Sequence, residues 1–179
     1  MNTLKSARIR RERLLSAAEG YLMLDMPRQA LESLDAIEDP ERAPFAYNYQ
    51  RGMVLRHLER HAEALEYFLR AFDEDPENVS LLLAMAWCYK RTDQLPRAIS
   101  TMELAYRVAP KQPIVLYNLA CYWALAGNKD QALSWLGRSL RMDGELRKLI
   151  PEESDFDKLR DDPDFEAMVG LPDDISRST

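Results

Sequence analysis

The sequence predicts an all-α protein built from antiparallel helix pairs, with no β-sheet, and three observations carry that prediction. Glycine is scarce, six in 179 residues, whereas a chain of β-hairpins needs more of it for turns with positive φ. Small residues recur every 34 positions: Ala30, Ala64, Ala98 and Ala132, and twelve residues before each, Ala18, Gly52, Ala86 and Ala120. Apolar residues between them keep helical spacing, with Leu82, Met85, Ala86 and Tyr89 at i, i+3, i+4 and i+7 and Ala98, Met102 and Ala105 on the following helix. Small side chains at both sites let two helices approach closely, and the large ones between them fill the groove so formed. Each 34-residue unit is therefore a helical hairpin.

Taken in order, residues 1–10 form a basic arm or the start of the first helix. Four hairpins follow over residues 11–144, in units 11–44, 45–78, 79–112 and 113–146. The first holds Leu14, Ala17, Ala18, Tyr21, Ala30 and Leu34; the second Gly52, Leu55, Ala64, Phe68 and Ala71. The third holds Leu82, Met85, Ala86, Tyr89, Ala98, Met102 and Ala105, and the fourth Leu116, Leu119, Ala120, Trp123, Ala132 and Leu136. Prolines at 27, 40, 44, 76, 96, 110 and 113 fall between helices or in first turns, where a missing N–H costs little. An end hairpin needs a cover. Residues 145–170 supply one, with Leu146, Leu149, Ile150, Phe156, Leu159, Phe165 and Met168 set among acidic residues, a helix start at Asp162-Pro163 and a stop at Gly170. Residues 171–179 read as a flexible tail.

Charge narrows the function classes. Residues 1–144 carry 19 Lys plus Arg against 19 Asp plus Glu, and residues 145–179 carry 5 against 11. A neutral body with an acidic end makes a nucleic-acid partner a poor fit, because such binding rests on clustered cations. The local exception is Lys5, Arg8, Arg10, Arg11 and Arg13. No stretch is apolar enough to span a membrane or to serve as a signal peptide, which gives a cytoplasmic expectation. Cys88 and Cys121 stand alone, without metal-ligand spacing, and read as buried thiols. His57 and His61 lack a nucleophile or acid–base partner, since Glu59 and Arg60 fall in the turn between helices. No catalytic residue, metal site or cofactor is expected, and the chain is not read as an enzyme.

The phased Tyr, Leu, Ala, Phe and Pro positions, such as Leu55, Ala64, Phe68, Ala71 and Pro76 in the second unit, resemble the tetratricopeptide repeat family. The 160–165 stretch, Arg-Asp-Asp-Pro-Asp-Phe, is similar to bacterial members. Arg42, Asn48, Arg51, Ser139 and Gly144 depart from the pattern. The resemblance implies a right-handed superhelical solenoid whose inner surface is lined by the first helix of each repeat. On that basis the partner-binding groove comprises Tyr49, Gln50, Met53 and Arg56 from the second repeat. The third contributes Leu83, Trp87, Lys90 and Arg91, and the fourth Tyr117, Asn118 and Cys121. The residues of the family's two-carboxylate clamp are missing at the matching positions. An apolar and aromatic strip with basic flanks takes their place.

The leading functional expectation is a non-catalytic protein–protein interaction module, a scaffold, adaptor or chaperone-like protein that binds an extended or helical segment of another protein. The alternatives are attachment to nucleic acid or another anionic surface through the basic arm, and a regulatory subunit docking onto an enzyme. Trp87 either faces the groove or packs between hairpins; Asn118 either bonds a peptide backbone or is solvated. Trp135 is expected against Leu149 or Phe156. Leu4, Leu14, Leu15 and Leu22, with no preceding repeat to cover them, point to a homodimer through the N-terminal helix.

Overall fold

A computed structural model describes residues 2–170, with side chains from residue 4 onward. The expected tail, 171–179, lies outside the described residues. Among the described residues there are helices and no strands. Two compact units divide them at Asp93 and Gln94.

The first unit holds α1 (Asn2–Met23), α2 (Pro27–Asp35), α3 (Pro44–His57), α4 (His61–Glu74) and α5 (Val79–Arg91). The basic arm is the start of a continuous 22-residue α1. Pairs α1/α2 and α3/α4 pack as predicted, α3 also touches α1, α2 and α5, and α4 touches α5. Each phased small residue here is sealed: Ala18, Ala30, Ala64 and Ala86 are fully buried. At Gly52 the approach is closest, for a Cβ there would lie 2.4 Å from the Phe68 ring, so glycine is what lets α3 and α4 meet. Arg51, off the family pattern, links α3 to α2 through Asp35 at 2.6 Å and lies over the rings of Tyr47 and Tyr67. Asn78 caps α5 by accepting from the Leu81 N–H.

The second unit holds α6 (Leu95–Val108), α7 (Pro113–Leu125), α8 (Lys129–Met142), two 3₁₀ stretches (Gly144–Glu152 and Ser154–Leu159) and α9 (Pro163–Val169). Helix α7 packs on α6 and α8, and Ala98, Ala120 and Ala132 are fully buried between them. The segment after α8 runs mostly as 3₁₀ turns, one of which admits Pro151. Its first stretch lies on α8, its second on α7, and α9 lies on α8. Ile150, Phe156, Leu159 and Phe165 are buried, and Phe156 and Phe165 face each other at 5.5 Å. Asp162 caps α9 as read, and Lys129 of α8 holds Asp162 and Asp164 at 2.6 and 2.7 Å; these contacts push the Lys129 pKa up to about 12. Arg147 donates to the carbonyls of Met168 and Val169 at the end of α9. The Trp135 ring stands edge-on to Tyr106 of α6, with Arg138 4.3 Å from its centroid.

A second periodic feature sits in the turns. Asp25, Glu59, Asp93 and Gly127 are 34 residues apart and all have positive φ, 54°, 58°, 59° and 76°. The N–H three residues beyond the helix end returns to the carbonyl five residues back, as in Met26 to Tyr21, Arg60 to Leu55 and Asn128 to Trp123. That is the Schellman termination, which wants glycine at the left-handed position. Only one of the four has it.

Candidate functional site

In the first unit, α3 presents Tyr49, Gln50 and Met53 on one face, all half-buried. Together with Glu19, Leu22 and Met23 of α1, and with Phe45, Ala46 and His57 on α3, they line an open cavity of about 420 Å³. Phe45 stacks on Tyr49 at 5.7 Å with the rings 7° apart, and Tyr49 leans on buried Phe68. Burial pushes the Tyr49 hydroxyl above its ordinary pKa, Arg56 opposes the shift, and Glu19 adds to it. The Gln50 Oε1 is buried and meets no donor among the described residues. Met23 is 83% exposed at the rim and Leu24 70%. Of the wall residues, Leu22 was expected in a dimer contact rather than a groove, and Met23 and Phe45 were not expected at all. Position 45 falls outside the inner-face register, and α1 contributes at its last turn.

Trp87 sits on α5, half-buried, and packs between helices while keeping charged neighbours. The His61 ring meets it edge-on at 4.9 Å, and the guanidinium groups of Arg56 and Arg91 lie 5.3 and 5.7 Å from its centroid. Each such cation–π contact adds roughly 0.5–1 kcal/mol. Leu83 and Lys90 are half-buried and Arg91 exposed. Cys88 is fully buried, which pushes its thiol up to about 11 against the opposing Arg56. His61 is buried at the start of α4 while His57 is exposed at the end of α3, so the two histidines share no helix.

In the second unit the groove reading changes. Tyr117 and Cys121 were assigned to a partner-facing surface, but they are 2% and 1% exposed. The cover segment Ser154–Leu159 lies on α7. Phe156 stands edge-on to Tyr117 at 5.8 Å and 84°, so an aromatic from the same chain fills the place. Asn118 remains half-buried. The Tyr117 hydroxyl has no hydrogen-bond partner among the described residues, and burial raises its pKa, with Cys121, Glu153 and Asp155 adding to the rise. The ligand atoms of Cys121, Glu153 and Asp155 lie within 4.8 Å of one another. No sequence spacing signals that grouping, since the cover brings two of its members from outside the repeat.

Three arginines of the basic arm meet acid. Arg10 pairs with Glu38 at 2.7 Å, Arg11 with Asp39 at 2.6 Å, and Arg8 approaches Glu12 at 3.8 Å. Arg11 is buried. These partners come from α1 itself and from the segment just after α2, and they offset much of the positive field that a polyanion would need. Leu4 and Ile9 of α1 are 64% and 37% exposed. No described helix is long and apolar enough to cross a membrane.

Residues 55–115 match a family model described as the tetratricopeptide repeat. The fold is similar to the crystal structure of MamA, with a TM-score of 0.71 at 18% identity, covering 82% of this chain and 86% of that one. Residues 55–115 thus carry the tetratricopeptide repeat. The chain is also similar in fold to YrrB, described as a TPR protein with an unusual peptide-binding site. That match has a TM-score of 0.67 at 21% identity and covers 78% of this chain and 72% of that one. The general transcriptional corepressor ssn6 of Schizosaccharomyces pombe is 31% identical over 106 residues, 56% of this chain and 9% of that protein. Cellulose synthase operon protein C of Pseudomonas fluorescens is 28% identical over 120 residues, 63% of this chain and 9% of that protein. The chain spans less than a tenth of the length of the curated relatives it matches.

Proposed function

We propose that this repeat protein is a non-catalytic protein–protein interaction module that takes a peptide segment of a partner on the α1/α3 face of its first unit. The observation that carries the reading is the open cavity bounded by Leu22, Met23, Phe45, Tyr49 and Met53. Apolar and aromatic walls with a few polar groups are what a recognition pocket needs. Rigid aromatics such as Tyr49 and Phe45 bury large area at low entropic cost. The YrrB likeness supports a peptide-binding role by fold alone.

The test is a display library of random peptides selected on the full chain, with Met23→Glu and Tyr49→Ala as counter-screens. Selected peptides should lose roughly tenfold or more in affinity on both variants, as central interface residues do. Retention on both would remove this face as the site. A second observation favours self-association: Leu4 and Ile9 are apolar and exposed on α1. On that reading the full chain forms a dimer that Leu4→Glu breaks, as read by light scattering, and a monomer at high concentration would end it.

A further inference from the structure

We propose that the segment taken by the first unit carries an acidic residue beside an aromatic one, because the chain seats such a segment of its own on the equivalent face of α7. This rests on the reading that the α1/α3 cavity is the partner site. The equivalence follows from the repeat: Tyr49, Gln50 and Met53 of α3 stand 68 residues, two repeats, before Tyr117, Asn118 and Cys121 of α7. On α7 these positions receive Phe156, edge-on to Tyr117, with Asp155 and Glu153 beside Cys121. The bound stretch is a 3₁₀ turn, Ser154–Leu159, whose aromatic ring is fully buried. The α7 face thereby shows which side-chain chemistry this repeat surface accepts: a ring against the tyrosine and a carboxylate at its flank.

The α3 face offers matching parts. Tyr49 presents a ring at the same register, and the open cavity beside it has room for an aromatic side chain. Nearby charge favours acid: Arg56 and Arg91 flank Trp87, and Arg56 opposes the upward shift of the Tyr49 hydroxyl. His57 also lines the cavity. Glu19 is the opposing charge, on α1. A segment with its ring in the cavity and its carboxylate toward Arg56 satisfies both walls, whereas a basic flank would meet like charge.

The experiment uses a labelled synthetic peptide with the sequence of residues 151–160, titrated into the full chain and read by fluorescence anisotropy. The expected result is saturable binding that weakens roughly tenfold when the peptide's phenylalanine becomes alanine, and severalfold when its acidic residues become Asn and Gln. Met23→Glu, at a position too exposed to disturb folding, and Met53→Glu should each cause a comparable loss. Equal binding of the native-sequence, alanine and amide peptides would overturn the proposal, as would binding that ignores both methionine substitutions. Library selection separates the two readings. Basic or purely aliphatic peptides that need Met23 and Met53 would leave the docking face standing and remove the acidic-aromatic preference, whereas peptides indifferent to both methionines would remove the docking face itself. If the occupant were the cover of a second copy, the full chain would sediment as a dimer that Phe156→Ala disperses, and that outcome would overturn the assignment to another protein.

Discussion

Tyr49 and Tyr117 occupy one register two repeats apart, yet the first borders an open cavity and the second is sealed under Phe156. Identical helix phase gives the two rings the same orientation on their helices. It does not give them the same exposure, because the cover that seals α7 comes from residues 153–159, outside the repeat. A repeat therefore fixes which face is presented, and what lies on that face is decided by chain that follows no period. The proposed working surface is accordingly concentrated in the first unit.

The largest effect should come from removing the seal. Phe156→Ala deletes a fully buried ring and is expected to cost about 3–5 kcal/mol, measured by urea denaturation. It should also make Cys121 react with a thiol reagent in the native state while Cys88, buried in the other unit, stays protected. An unreactive Cys121 would mean that the cover holds α7 without its aromatic anchor. Next in size is Gly52→Ala, where a methyl would press into Phe68. Overpacking of this kind costs about 1–3 kcal/mol, and an unchanged denaturation midpoint would show that α3 and α4 separate more easily than their packing implies.

A pH effect separates the units further. Burial, with Arg91 and Arg56 adding and Glu59 opposing, holds the His61 imidazole below its ordinary pKa. The unfolded chain therefore takes up this proton more readily than the folded one. The corresponding stability is complete above the ordinary histidine value of about 6.5 and is lost as pH falls through the lower folded value. His61→Gln should flatten that part of the stability profile below neutrality, leaving the carboxylate-driven loss at more acid pH. The smallest change concerns the turns. Glu59→Gly replaces a long side chain held at φ 58° with the residue that position prefers, and should stabilise by roughly 0.5–1 kcal/mol. Substitution at Gly127 by alanine should do the reverse.

The fold was legible because its determinants are local and repeated. Eight phased small residues and the helical spacing between them specify close helix pairs, and the prolines mark first turns, as at Pro27, Pro44 and Pro113. Part of the candidate site's geometry was legible for the same reason: register alone places Tyr49, Gln50 and Met53 on one wall of the cavity. The opposite wall, Leu22 and Met23, stands one repeat before Arg56 and His57 and so shares their register, but the expected groove began only at the second repeat. The burial of Tyr117 and Cys121 was missed because a 3₁₀ segment has no hydrophobic period long enough to show which helix it will cover. The left-handed turns were missed because Asp25, Glu59 and Asp93 carry no glycine to announce them.

The central claim is that the α3 face receives a partner while the α7 face is already filled. Methyl NMR of the full chain, titrated with a peptide selected by display, tests it most directly through the methionines. Met23 and Met53 line the first-unit cavity, whereas Met102 is buried in α6 and Met168 lies in α9. The expected result is movement of the Met23 and Met53 signals with those of Met102 and Met168 unchanged. Movement of Met168 and Met102 with Met23 and Met53 still would contradict it.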